Sequence, residues 1–173
     1  MLILRFFLSL GALYGAPSVI HEVTLVQLGS FDLDEPGIYD VPYDYDAKPR
    51  KKPKPIQIPA WIMHLNGEKV AVSGYMMPVS LDDNGKMDSF TLVKSVMNCC
   101  YGVTPKLHET VSCYMPEGKW VDYYVNIPVR VVGRFKVELQ REDGYLVGLY
   151  SMDVEKIEKL PASKGPGAGR SGP

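Results

Sequence analysis

The sequence predicts a mainly β protein: a small closed or partly open barrel of five to six strands, with one short helix and disordered tails. Three observations predict it. Fourteen prolines and sixteen glycines interrupt the 173 residues too often for a helical protein, while Val, Tyr, Thr and Ile are plentiful. Between residues 56 and 160 apolar side chains alternate in short runs bounded by turn residues, with no helical period longer than about three turns. Glycines fall inside two of those runs, at Gly74 and Gly133, where a curling sheet needs a bend.

The elements follow in chain order. Residues 1–16 read as an export signal, with one positive charge at Arg5, an apolar run and small residues at Gly15-Ala16. The run is too short to span a bilayer, and Tyr14 and Pro17 make a poor cleavage site. Residues 17–55 form an extended arm or linker, in which residues 20–28 make one strand. Next come a Tyr/Asp stretch at residues 39–46 and the run Lys48-Pro49-Arg50-Lys51-Lys52-Pro53-Lys54-Pro55, which its prolines keep extended. This basic run reads as a solvated linker offsetting the acidic stretch before it, the competing reading being contact with phosphate or lipid headgroups.

Residues 56–160 make the folded domain. A short helix at residues 59–65 has proline in its first turn and stops at Asn66-Gly67. A strand at residues 69–76 alternates Val70, Val72 and Gly74 with Lys69, Ala71 and Ser73. Asp82-Asp83-Asn84-Gly85 turns the chain into a strand carrying Phe90 and Leu92 on one face. Strands follow at residues 110–115 and 119–125, joined through Pro116-Glu117-Gly118. A long strand at residues 128–139 turns at Glu142-Asp143-Gly144 into a last one at residues 145–154. Short strands with glycine bends close into a ring that hides its edges, the oligonucleotide/oligosaccharide-binding (OB-like) type of barrel. Residues 161–173, rich in Gly, Pro and Ser, are a disordered tail.

Net charge is -1, so no global field draws in nucleic acid or an anionic surface, and export further argues against a nucleic-acid partner. No complete catalytic constellation is present, so the sequence reads as a non-enzyme.

The chemically distinctive stretch is Asn98-Cys99-Cys100-Tyr101-Gly102. Neighbouring side chains on a strand point to opposite faces, so both thiols serve one site only where the backbone turns, as Gly102 and Pro105 permit. His108 and Cys113 lie downstream, and together Cys99, Cys100, His108 and Cys113 offer thiolate and imidazole ligands suited to zinc or copper(I). No second Cys-x-x-Cys or His pair completes a known finger pattern. Other readings compete: a disulfide from Cys113 to Cys99 or Cys100, buried thiols acting as small hydrophobes, or a Cys–His nucleophile lacking a third orienting group. Exchange chemistry of the Cys-x-x-Cys kind is excluded by spacing, because the thiols are adjacent. Trp120, Tyr123 and Arg134 mark a face that could contact a partner, although strand aromatics mostly pack.

The segments Val72-Ser73-Gly74-Tyr75-Met76-Met77-Pro78, Phe90-Thr91-Leu92-Val93 and Cys99-Cys100-Tyr101-Gly102-Val103-Thr104-Pro105 resemble a bacterial family carrying domain of unknown function 3299. Val131-Val132-Gly133-Arg134-Phe135-Lys136-Val137 and Asp143-Gly144-Tyr145 are similar to it too. The resemblance implies an exported, barrel-like domain and no specific activity. It also implies a periplasmic accessory role beside an envelope or transport-system protein. In many members of the family that the chain resembles, this loop carries a single cysteine followed by a histidine and several prolines. The adjacent pair here departs from that pattern.

Two functions follow as expectations. One is a periplasmic or secreted binding protein holding a thiophilic metal ion. The other is an envelope-interaction module whose cysteines are structural.

Overall fold

The computed structural model describes residues 19–33, 55–95, 105–142 and 145–161. The export signal, most of the arm, Cys99 and Cys100, the tip at Asp143-Gly144 and nearly all of the C-terminal tail lie outside the described residues.

Alternating sequence becomes alternating burial. In β2 (Lys69–Pro78), β4 (Ser89–Val93), β5 (Val111–Tyr114), β7 (Pro128–Glu142) and β8 (Tyr145–Lys159), the apolar residues of one face turn inward. Val70, Val72, Phe90, Leu92, Val111, Val129, Val131, Phe135 and Met152 are fully buried together. The sheet order β1-β2-β4-β5-β8-β7 is closed by a further β2–β7 pairing, which makes a ring of five strands. In chain order, the third and fifth ring strands, β5 and β8, run parallel, and the other ring pairs are antiparallel. The mainly β, OB-like expectation is therefore met, with five strands in the ring and β1 (His21–Thr24) attached outside it.

The strand β2 serves two neighbours along one edge. Its first half, Val70 to Ser73, takes β1 in parallel, and its second half, Tyr75 to Pro78, takes β4. The opposite edge carries β7. Where β4 has ended, β1 and the helical turn α1 (Leu25–Leu28) fill the open side of the ring. Residues 25–28 were expected to continue a strand, and they form a helical turn instead. The cause is a capping box: the Gln27 amide donates to Thr24 Oγ1 at 3.1 Å, and the Thr24 amide donates to Gln27 Oε1 at 2.9 Å. The turn buries Leu25 and Leu28 and leaves Val26 outside. Residues 21–28 thus belong to the folded unit. Arg130 on β7 fastens them, pairing with Glu22 on β1 and, at 2.8 Å, with Glu158 on β8.

The short helix α2 (Ala60–Met63) leads into β2 at one end of the ring. At the other end, β3 (Lys86–Met87) and β6 (Val121–Asp122) form a two-stranded ribbon. The turns feeding the ribbon place Gly85 and Gly118 at positive φ, 72° and 71°, as the turn-rich segments there require.

Candidate functional site

Two of the four expected metal ligands fall among the described residues. His108 sits in the 3-10 turn Leu107–Glu109, wedged between α1 and β8, and is 5% exposed. Its ring lies 5.2 Å from that of Phe31, and its Nδ1 is buried without a hydrogen-bond partner among the described residues. Burial pushes the imidazole pKa below 6.5; Lys106 adds to that push, while Glu109, Asp32 and the Gly29 main chain oppose it. The imidazole is consequently neutral at pH 7, with a free lone pair. Glu109 is engaged by Lys94 at 2.6 Å.

Cys113 differs. It lies on the inward face of β5, opposite Phe90 and Met152, with no exposed surface. Its thiol donates weakly to the Val111 carbonyl at 3.7 Å, and burial drives its pKa far above the ordinary thiol range. The side chain behaves as a small hydrophobe, one of the readings the sequence left open. No group of three or more His, Cys, Asp or Glu side chains arranged to hold a metal occurs among the described residues.

A second constellation forms on the outside of the ring. Strand alternation turns Met87 and Val121 of the ribbon toward the core, so Lys86 and Asp122 face outward. One step along the ribbon, Trp120 and Asp88 share that outer side; Trp120 is 51% exposed. The Asp88 carbonyl accepts the Met115 amide at 2.8 Å, which brings the end of β5 alongside. Tyr114, 45% exposed, stands there in register with Ser89 and Asp153. The same end of the ring thus presents two aromatic rings among carboxylates. Residues 82–88 and 117–122 hold five carboxylates against two lysines. The Asp82 carboxylate is held below the usual range, first by the Lys86 main-chain amide and also by that of Asn84, at 2.7 and 2.9 Å.

Of the interaction face expected from sequence, Trp120 is exposed as required, whereas Tyr123 is partly buried against the core. Arg134 shares the outer row of Tyr114 and Asp153, but its guanidinium donates to the Gly67 carbonyl at 2.7 Å. Lys136 pairs with Asp153 at 2.8 Å. Nothing in the sequence sets Tyr114 apart from the other tyrosines or marks Asp88 as adjoining the ribbon that leads to Trp120.

Comparison with known proteins supports the fold. A family model described as "Protein of unknown function (DUF3299)" matches residues 43–159. The chain is similar to the crystal structure of a DUF3299 family protein from Pseudomonas aeruginosa PAO1, with a TM-score of 0.54 and 19% sequence identity. That match covers 84% of this chain and 99% of the other, and at such identity it is a likeness of fold. No curated protein matches the chain.

Proposed function

From the premise that the chain belongs to the DUF3299 family, we propose that it is an exported binding module acting through the outer face that carries Trp120 and Tyr114. One observation carries the reading. Two large aromatic side chains remain about half exposed, Tyr114 at the end of β5 and Trp120 just before β6, on segments that the Met115–Asp88 main-chain hydrogen bond brings to the same end of the ring. Trp and Tyr are the residues that most often anchor protein interfaces, because they offer wide contact area at little conformational cost. OB-like rings use the outer surface of their second and third strands, together with the loop joining the first two, to hold ligands. Here those parts are β4, β5 and residues 79–88. The fold likeness is an analogy, whereas the exposure belongs to this chain. Residues 1–16, read as an export signal, set the module in the periplasm or outside the cell. Among the described residues no helix is long and apolar enough to cross a membrane.

The test is photo-crosslinking in cells that make the protein, with a benzophenone amino acid at position 120 and, as a control, at the exposed position 139 on β7. A discrete adduct from position 120 and none from 139 supports the reading. Equal labelling from both positions overturns it.

A second reading is favoured by the partnerless Nδ1 of His108. The histidine lies eight residues after Cys100, and a desolvated neutral imidazole is the protonation state that a metal requires. In this reading Cys99, Cys100 and His108 hold zinc or copper(I), and Cys113 stays in the core. Metal analysis of untagged protein tests it. Stoichiometric metal lost in Cys99→Ser/Cys100→Ser supports it, and equal content in both proteins removes it.

A further inference from the structure

We infer that the face of Trp120 and Tyr114 takes an extended, lysine- and proline-rich peptide segment; this deepens the binding-module reading and rests on it. Charge selects the partner. Between residues 82–88 and 117–122 five carboxylates stand against two lysines, and Asp88, Glu117 and Asp122 are exposed on the two segments that form the ribbon and carry Trp120. Across the sheet, Lys136 is paired with Asp153, so its charge is already matched, and Arg134 donates to the Gly67 carbonyl. An anionic lipid surface or a nucleic acid would meet like charge here. A cationic chain meets carboxylates and, in the same step, two ring faces.

The rings sharpen the choice. Lysine and arginine cations are attracted to the faces of Trp and Tyr, and proline rings pack flat against them. A proline-rich segment is already extended, so docking it costs little chain entropy. Its three-residue period presents side chains along one edge, which suits anchors on separate strands such as Trp120 beside β6 and Tyr114 on β5. A helical ligand would instead need an apolar groove.

The chain supplies a probe of this chemistry in residues 48–55, Lys48-Pro49-Arg50-Lys51-Lys52-Pro53-Lys54-Pro55. The peptide is added in trans as a probe of this chemistry, and residues 48–54 of the chain itself lie outside the described residues.

The experiment is a fluorescence titration of the full-length protein carrying Trp61→Phe, which leaves Trp120 as the only tryptophan. The titrant is a synthetic peptide of residues 47–56, which contains no aromatic residue. The expected result is a saturable change in Trp120 emission that weakens as salt is raised. Binding should weaken about tenfold in Asp88→Asn/Asp122→Asn and with a peptide whose lysines and arginine are all glutamines. Tyr114→Ala, read through the same tryptophan, should weaken it similarly. No saturation, or equal binding by the uncharged peptide or by Asp88→Asn/Asp122→Asn, overturns the inference. A position-120 crosslink without peptide binding sinks this inference alone; equal crosslinking at positions 120 and 139 sinks the module reading beneath it.

Discussion

The Tyr150 hydroxyl donates to the main-chain carbonyl of Leu28 at 3.2 Å, tying β8 to the N-terminal helical turn across 122 residues of sequence. Both residues are buried, and the Tyr150 ring also stacks at 5.5 Å on Phe135 of β7. Burial keeps the phenol protonated well above the usual tyrosine range, so it remains a donor at every ordinary pH. The N-terminal plug is therefore held by a polar contact within an apolar layer.

Removing that hydroxyl tests the attachment. Tyr150→Phe keeps the ring packing and strands the Leu28 carbonyl, at a cost of about 1–2 kcal/mol. Urea unfolding should show a lower midpoint with an unchanged slope. Hydrogen exchange should show faster opening of residues 21–28 than of β5. Uniform acceleration across the sheet would assign the hydroxyl to global stability alone.

Gly133 sits at a register shift between β7 and β8, where an added methyl would lie inside contact distance of the Asp153 carbonyl oxygen. Backbone cannot yield there as a flexible side chain would. Gly133→Ala should therefore destabilise by about 3 kcal/mol, measured by chemical denaturation. Gly67→Ala, at a φ of 84° with open space around it, carries only conformational strain and should cost about 1 kcal/mol.

His108 makes stability depend on pH. Its folded-state pKa is lowered from 6.5, chiefly by burial, so below that pH the unfolded chain takes up a proton that the folded chain resists. Its contribution is complete above pH 6.5 and is lost as the pH falls toward the folded value. The slope contributed by this one group is at most about 1.4 kcal/mol per pH unit. Denaturation midpoints from pH 7.5 down to about 5 should fall more steeply in the wild type than in His108→Phe. Parallel curves would show that the imidazole protonates freely in the folded protein.

Cys113 should be chemically silent. With no exposed surface and its thiol held protonated, it should resist iodoacetamide in the native protein and react once the chain is unfolded in guanidinium. Mass mapping of the alkylated sites checks this. Native labelling of Cys113 at the rate of a free thiol would show that β5 opens locally.

Sequence alone determined what depends on near neighbours. The inward faces of β2, β4 and β7, the turns at Asn66-Gly67 and Pro116-Glu117-Gly118, and the irregularity at Gly133 were legible, because alternation and turn chemistry act within a few residues. Tertiary structure alone decided which strands meet. The β2–β7 closure, the parallel β5–β8 pair and the seating of α1 under Tyr150 join segments far apart in the chain, and no local pattern encodes such pairings. Site residues divided in the same way. The residue types at His108 and Cys113 were readable, yet only packing sent the thiol into the core and left the imidazole nitrogen unpaired. Asp88 comes to stand beside Trp120 because a short ribbon crosses the end of the ring, and a ribbon's register exists only once both of its strands are in place.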